Sequence, residues 1–176
     1  MYKYILYIVS LFVLISCSGE QKPQIPINKV PKENIKEELL QMNVVLAQNE
    51  NKEILAYIKK NKLDVEKSPL AFWYKIEEKG NGKPIKKGTK VRISFNLSLL
   101  DGSVCYTPKN KGIKKMTIGK ADIIKGLDEA LVLLNEGGRA KFIIPADLAF
   151  GMVGDQDCIG SKKTVIYDIL SVEIIP

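Results

Sequence analysis

The clearest pattern in this chain is an alternation of apolar and polar residues over positions 91–99. The apolar members all fall on odd positions: Val91, Ile93, Phe95, Leu97 and Leu99. Because successive side chains of a strand point to opposite faces, this alternation predicts a half-buried β-strand. The Asp101-Gly102 pair that follows predicts a tight turn directly after the strand.

Three more apolar runs predict strands, at 72–76, 139–144 and 165–174, and the last is too apolar on both faces to lie at an exposed edge. Between positions 121 and 134 the period changes to that of a helix. Asp122 is its predicted N-cap, and its apolar stripe consists of Ile123, Ile124, Leu127, Leu131 and Leu134. Strands with one helix between them predict an α+β fold, in which a curved antiparallel sheet of about five strands wraps on this helix.

Helical spacing also precedes the main domain, within positions 35–66. A first set of apolar residues recurs at this spacing: Ile35, Leu39, Met42, Val45 and Leu46. A second set lies at 54–58, and Asn49 and Asn51 predict a break between the two. We therefore expect an N-terminal helical pair. It either packs on its own domain, which we favour, or serves as an arm that forms a homodimer.

The N-terminus carries an apolar run at 5–15, after the positive charge of Lys3. The run is shorter than the ~20 residues of a membrane-spanning helix and has the length of a signal-peptide core. The Leu14-Ile15-Ser16-Cys17 sequence at its end resembles the lipobox of bacterial lipoproteins, whose cysteine is acylated and becomes the first residue after cleavage. The resemblance implies a signal peptide at 1–16 and a lipid anchor on Cys17. A non-lipidated signal or an uncleaved anchor is the alternative.

The remaining segments and the charge fit an exported chain. Three prolines among polar residues predict an extended tether at 17–34, which leaves a main domain at 70–176. The net charge is +7, but the lysines are spread along the chain beside acidic residues, so we expect no nucleic-acid partner. The chain has no histidine and three cysteines, which excludes Ser-His-Asp catalysis, histidine-containing metal sites and four-thiolate zinc sites.

Six short motifs follow one another through the main domain. In chain order they are Gly80-Asn81-Gly82, Val91-Arg92-Ile93-Ser94-Phe95, Leu99-Leu100-Asp101-Gly102, Ile123-Ile124-Lys125-Gly126-Leu127 preceded by Ile118-Gly119, Ile144-Pro145-Ala146-Asp147-Leu148-Ala149-Phe150-Gly151, and Val165-Ile166-Tyr167-Asp168-Ile169. Their order and spacing resemble the FK506-binding-protein (FKBP) family of peptidyl-prolyl isomerases, over about 73–175.

The resemblance implies an activity that needs no cofactor. Rotation about an X–Pro bond faces a barrier of about 18–20 kcal/mol, and a dry, aromatic-walled cavity lowers it without a nucleophile or a metal. By resemblance the backbone N–H of Ile124 holds a substrate carbonyl, and Tyr106 and Ile159 also contact the substrate. By resemblance the catalytic cavity is lined by Phe95, Ile123, Ile124, Leu127, Phe150 and Tyr167.

The chain departs from the family pattern around this cavity. Cys105-Tyr106 stands where the family has Phe-Asp, Leu127 stands for a Trp, Phe150 for a Tyr, and Ile159-Gly160-Ser161 for Ile-Pro-Pro. Fewer aromatic and hydrogen-bonding groups therefore remain. Two functions stay open: a peptidyl-prolyl isomerase that helps exported proteins fold at the cell envelope, or a catalytically weak chaperone or assembly module that binds proline-containing segments.

The resemblance also brings Cys105 and Cys158 to one wall of the cavity. In an exported protein disulfides form and persist, so it implies a bridge that pins the loop carrying Cys158. Two buried, inert thiols are the alternative. The bridge requires Cα atoms within about 7 Å of each other.

The lipobox, tether and helical segment together with the main domain look like the FKBP-type lipoproteins of Bacteroidetes, including the gliding-motility-associated variety. This finer resemblance implies a lipid-anchored protein of the outer membrane that faces the periplasm. Its expected partners are unfolded or proline-containing exported polypeptides, and the membrane itself through the lipid on Cys17.

Overall fold

The computed structural model describes residues 32–121 and 123–176 of the chain. The predicted signal peptide at 1–16, Cys17 and the tether up to residue 31 lie outside the described residues, and so does Asp122. Within the described part, no helix is both long and apolar enough to span a bilayer.

Within the described residues, seven strands form a single antiparallel sheet. They are β1 (Glu66–Lys67), β2 (Trp73–Glu78), β3 (Lys90–Leu99), β4 (Val104–Tyr106), β5 (Ile113–Thr117), β6 (Arg139–Ile144) and β7 (Val165–Ile174). Their spatial order is β1-β2-β6-β7-β3-β4, with β5 also paired to β3. The predicted α+β fold with an antiparallel sheet is confirmed. The strands exceed the expected number of about five because the sequence pattern does not mark β1 and β4, which have only two and three residues, or the mostly exposed β5.

The alternation at 91–99 becomes the inner face of β3. All five of its apolar side chains are buried, with exposed fractions between 0% and 8%. Strand β3 lies beside β7, and β7 lies between β3 and β6. This interior position of β7 confirms the prediction that its apolar faces do not form a sheet edge.

The second helix, α2, spans Lys125–Leu131 and is shorter than the helical pattern at 121–134. Ile124 precedes it in an extended conformation, with φ −62° and ψ 137°. Ile123 and Ile124 thus contact the core from the segment before the helix. Their spacing from Leu127 and Leu131 resembles that of a helix although they are not helical. Gly126 permits close packing of α2 on the sheet, because a Cβ there would lie 2.3 Å from the Cγ2 atom of Ile144.

The first helix, α1, spans Lys32–Lys60 as one continuous helix of 29 residues. The predicted helical pair is therefore wrong. Asn49 and Asn51 do not break the helix, because an asparagine costs only about 0.7 kcal/mol relative to alanine in a helix, and the turn that follows is anchored by packing. Ile54 is fully buried there, in a second apolar cluster with Trp73, Ile143 and Ile166.

Glu50 of α1 ties the helix to the loop that follows β6. Its Oε1 atom accepts hydrogen bonds from the Ala146 backbone N–H at 2.7 Å and from the Thr164 hydroxyl at 2.5 Å. Hydrogen bonds to a charged group contribute about 1.5–3 kcal/mol. The Glu50→Ala variant is therefore expected to lose about 2 kcal/mol of unfolding free energy in a urea titration. Glu53→Ala, an exposed position one turn later, is the control and should lose less than about 0.5 kcal/mol. Equal losses would contradict this role for Glu50.

Candidate active site

Two aromatic rings on adjacent strands form one wall of the candidate site. Phe95 lies on β3 and Tyr167 on β7, and the two ring centroids are 5.0 Å apart at an interplanar angle of 48°. This tilted geometry is within the range favoured by aromatic pairs. Both side chains are buried, with 4% and 5% of their surface exposed. The register explains the contact, because Tyr167 pairs with Leu97, two residues from Phe95 on β3.

The other residues predicted from the family resemblance join the same apolar cluster. Ile123, Leu127 and Ile159 are buried in it, with exposed fractions of 8%, 2% and 2%. Three further residues are half-buried and pack against it: Tyr106, Ile124 and Phe150. All eight predicted residues thus belong to one apolar cluster, which also contains most of the other core residues of the main domain. We call these eight residues the candidate cleft: Phe95, Tyr106, Ile123, Ile124, Leu127, Phe150, Ile159 and Tyr167.

The backbone at Ile124 presents a hydrogen-bond donor at the candidate cleft. Ile124 directly precedes α2 and has an extended backbone conformation. Its carbonyl oxygen accepts a hydrogen bond from the Asp128 N–H at 3.1 Å. No described residue accepts a hydrogen bond from the Ile124 N–H. This group is therefore available to a carbonyl oxygen of a bound peptide, as the resemblance implies.

The loop after β6 is attached to β4 by a disulfide. Cys105 and Cys158 are bonded, and their Cα atoms are 5.6 Å apart, inside the limit of about 7 Å. Cys105 is buried in the apolar cluster, whereas Cys158 lies at its exposed edge, next to Ile159. The bridge that the resemblance implies is present, and it holds the loop segment that supplies Ile159.

A polar network reinforces the same attachment. The Tyr106 hydroxyl donates to a carboxylate oxygen of Asp155, and the other oxygen of Asp155 accepts the backbone N–H groups of Asp157 at 3.0 Å and Ile159 at 2.7 Å. Asp157 in turn forms an ion pair with Lys111. These contacts join β4 and the segment after it to the loop at 154–159.

The protonation states within this network follow from its contacts. Burial and the carboxylates of Asp155 and Asp157 raise the pKa of Tyr106 well above its ordinary value. Burial opposes ionisation of Asp155, but the hydrogen bonds from Tyr106 and from backbone N–H groups outweigh it and lower the Asp155 pKa. At neutral pH the carboxylate is therefore ionised and the phenol keeps its proton.

Comparison with known proteins shows the family and the fold of the chain. The model of the FKBP-type peptidyl-prolyl cis-trans isomerase family matches residues 81–171, more than half of the chain. The chain belongs to this family. The matched range contains every residue of the candidate cleft and both cysteines of the disulfide.

Individual FKBP relatives support the assignment. The chain is 35% identical over 121 residues to a probable FKBP-type peptidyl-prolyl cis-trans isomerase, FkpA, of Neisseria meningitidis, a match covering 68% of this chain and 44% of the relative. It is 33% identical over 101 residues to the outer membrane protein MIP of Legionella longbeachae, covering 57% of this chain and 43% of that protein. The chain thus spans less than half the length of these relatives.

A solved structure shows the same fold. The crystal structure of FkpA from Escherichia coli has a TM-score of 0.61 and 23% sequence identity to this chain, and the match covers 99% of this chain and 82% of that one. At this identity the likeness concerns the fold alone.

The carboxylate beside the candidate cleft comes from a different position than in the FKBP pattern. The family pattern has an aspartate where this chain has Tyr106, and the carboxylate beside the cleft comes instead from Asp155, 49 positions later. Sequence reasoning missed Asp155, Asp157 and Lys111. The Gly154-Asp155-Gln156-Asp157 run was a usable signal, because an aspartate after glycine favours a turn in which its side chain accepts the N–H two residues on.

The acidic side chains beside the candidate cleft have partners within the protein. Among residues 32–121 and 123–176, no group of three or more Cys, Asp or Glu side chains is arranged to hold a metal ion. The carboxylates of the network are already engaged by Tyr106, Lys111 and backbone donors.

The lowered pKa of Asp155 predicts a pH-dependent contribution to stability. A carboxylate whose pKa is lower in the folded state stabilises the fold above its unfolded pKa, and this contribution is lost as the pH falls through the folded pKa. Asp155→Asn is therefore expected to unfold at a lower temperature than wild type at pH 7. The difference should shrink as the pH falls below the ordinary aspartate pKa of 3.8. Melting temperatures of both proteins, measured from about pH 2 to about pH 7, test this prediction. A difference in melting temperature that stays constant over this range would contradict it.

Proposed function

We propose that the protein is a peptidyl-prolyl cis-trans isomerase that assists the folding of exported proteins at the cell envelope. The observation that carries the proposal is the candidate cleft. It joins the Phe95–Tyr167 aromatic wall, buried aliphatic side chains and the uncommitted Ile124 N–H within a domain of the FKBP family. A dry apolar wall with few placed donors suits a reaction that only twists an amide.

The direct test measures turnover and folding assistance side by side. The protein should accelerate the cis-to-trans conversion of a short X-Pro peptide, and it should speed the proline-limited refolding of an unfolded protein, which takes about 10–100 s without a catalyst. Acceleration of both reactions supports the proposal. Suppression of aggregation without any acceleration of the peptide reaction would overturn the enzymatic function.

One observation favours a second candidate function, a binding module for unfolded chains. Met152 and Val153 follow Phe150 in the loop after β6, and their side chains are 65% and 69% exposed. This apolar pair supports contact with unfolded clients independently of catalysis. A Met152→Ser, Val153→Ser variant that keeps its turnover of short peptides but loses aggregation suppression would separate the two activities.

The localisation in this proposal rests on the N-terminal sequence. We propose that Cys17 carries a lipid and that the protein is anchored in the outer membrane facing the periplasm, as in the FKBP-type lipoproteins of Bacteroidetes. A role in gliding motility belongs to the same proposal. The relative named an outer membrane protein supports an envelope location.

The lipid anchor gives a specific prediction. Wild-type protein isolated from bacterial membranes is expected to begin at Cys17 and to carry the mass of attached acyl chains, because the sequence before it matches a lipobox. Cys17→Ala should shift the protein from the membrane fraction to the soluble fraction. Ser18→Ala is the adjacent control and should remain with the membrane. Intact-mass spectrometry showing an unmodified Cys17 would rule the anchor out.

We also propose that the first part of α1 mediates a homodimer. Seven apolar side chains between positions 35 and 46 are 40–56% exposed: Ile35, Leu39, Leu40, Met42, Val44, Val45 and Leu46. Such a run is costly to leave in water. Sedimentation equilibrium should give twice the mass of one processed chain, which is 19.7 kDa less any cleaved segment. Leu39→Lys combined with Leu46→Lys should restore a monomer, and a monomeric wild type would contradict the proposal.

A further inference from the structure

The hydroxyl of Tyr167 has no evident structural task. The side chain is 5% exposed, and its ring packs on Phe95 in the wall of the candidate cleft. None of the described residues donates a hydrogen bond to this hydroxyl or accepts one from it. Phenylalanine would fill the same wall without a polar atom, so packing alone does not account for a tyrosine here.

The position of the hydroxyl oxygen follows from the hydrogen-bond inventory. Among the described residues, no side-chain nitrogen or oxygen is both sealed from solvent and without a partner. Because the Tyr167 hydroxyl lacks a partner, its oxygen is not sealed and must reach open space. The buried ring forms the wall, and the hydroxyl is the part of the residue that meets whatever occupies the cleft.

The protonation state of Tyr167 makes its hydroxyl a donor. Burial raises the pKa of Tyr167 first, and the negative charges that Tyr106 and Asp155 can carry raise it further. Tyr167 therefore remains protonated at neutral pH and is a donor. Tyr106 differs from it, because its proton is already committed to Asp155.

We propose that the Tyr167 hydroxyl donates a hydrogen bond to a main-chain carbonyl oxygen of the bound proline-containing segment, beside the amide that rotates. This inference rests on the proposed function and deepens it. The Ile124 N–H and the Tyr167 hydroxyl then form two fixed donors at one cleft, and they hold the carbonyls on either side of the X–Pro bond. Such anchoring acts on the bound substrate and the transition state alike, so it lowers KM without raising kcat.

The test compares Tyr167→Phe with wild type on a short X-Pro peptide. We expect KM to rise about three- to tenfold with kcat unchanged, the size of one neutral hydrogen bond. The melting temperature should stay at the wild-type value, because the hydroxyl makes no bond within the protein. Tyr57→Phe is the matched control, since it removes a hydroxyl from α1, outside the cleft, and should leave KM and kcat unchanged. An unchanged KM in Tyr167→Phe would overturn the inference, as would an equal change in Tyr57→Phe.

A modified peptide tests the contact itself. Exchanging oxygen for sulfur in one carbonyl flanking the X–Pro bond weakens that carbonyl as an acceptor. For the carbonyl that Tyr167 holds, sulfur should weaken binding to wild type but have little further effect on Tyr167→Phe, which is the signature of direct coupling in a double-mutant cycle. Additive effects at both flanking carbonyls would overturn the inference.

Calorimetric Kd values for the same peptides keep the two proposals distinguishable. If wild type binds peptide but does not accelerate isomerisation, the enzymatic function fails, and the Tyr167 contact is judged from Kd alone, with the same expected ratio. If wild type neither binds nor turns over the peptide, both proposals are overturned.

Discussion

Removal of the disulfide is expected to cost this domain about 4 kcal/mol of unfolding free energy. The bond between Cys105 and Cys158 closes a loop across 53 positions, and in the chain-entropy model a closure of that length restricts the unfolded chain by about this amount. Urea unfolding of wild type and of the Cys105→Ser, Cys158→Ser variant measures the loss. Since a domain of this size is stable by only about 5–15 kcal/mol, the effect is a large share of the total.

The design of this experiment separates the covalent bond from the new serines. Wild type unfolded in the presence of a strong thiol reductant keeps both cysteine side chains but loses the bond, and it should match the double variant to within about 1 kcal/mol. A loss below about 1 kcal/mol in both samples would show that the polar contacts at 154–159 hold the loop without the bridge.

The functional consequence of the lost bond is expected at Ile159. The bond holds its neighbour Cys158, while Asp155 accepts the Ile159 N–H. Without the bond only the polar network fixes this part of the cleft. The KM for an X-Pro peptide should therefore rise, and it should rise further when Asp155→Asn is added to the double serine variant.

The strands that contribute to the candidate cleft could be predicted from the sequence because their apolar patterns extend over many residues. The bounds predicted for β6 and β7 are those of the structure, and β3 begins one residue before its predicted start. Strand β5 was not predicted, because only Met116 of its five residues is buried and no alternation marks it. Strand β5 is defined by its pairing with β3, which the local sequence does not reveal.

The polar part of the site was beyond sequence reasoning for a different reason. The apolar cleft residues belong to motifs with a fixed order, so a resemblance could place them. The Tyr106–Asp155 and Lys111–Asp157 contacts join positions 49 and 46 apart, and each depends on two loops meeting in space. Helix α1 shows a related limit, since burial of Ile54 overrides the local signal of the asparagines.

The largest expected effect of a single substitution is that of Phe95→Ala. Truncating a buried phenylalanine to alanine costs about 3–5 kcal/mol, because burial is lost and a cavity remains. Here the cavity would open in the aromatic wall beside Tyr167, and water entering it would weaken the dry environment on which the proposed catalysis depends. We expect kcat/KM for an X-Pro peptide to fall at least about tenfold, or about 1.4 kcal/mol of transition-state stabilisation.

Phe72→Ala separates this catalytic effect from general destabilisation. Phe72 is 1% exposed and packs in the same apolar cluster, with its ring 6.4 Å from that of Phe142, but it is not part of the candidate cleft. Its truncation should cost a similar amount of stability while the folded protein keeps its kcat/KM. If either alanine variant is too unstable, Phe95→Leu and Phe72→Leu provide the same comparison with smaller cavities. Equal kcat/KM values for folded Phe95 and Phe72 variants would show that the aromatic wall is not where the substrate binds.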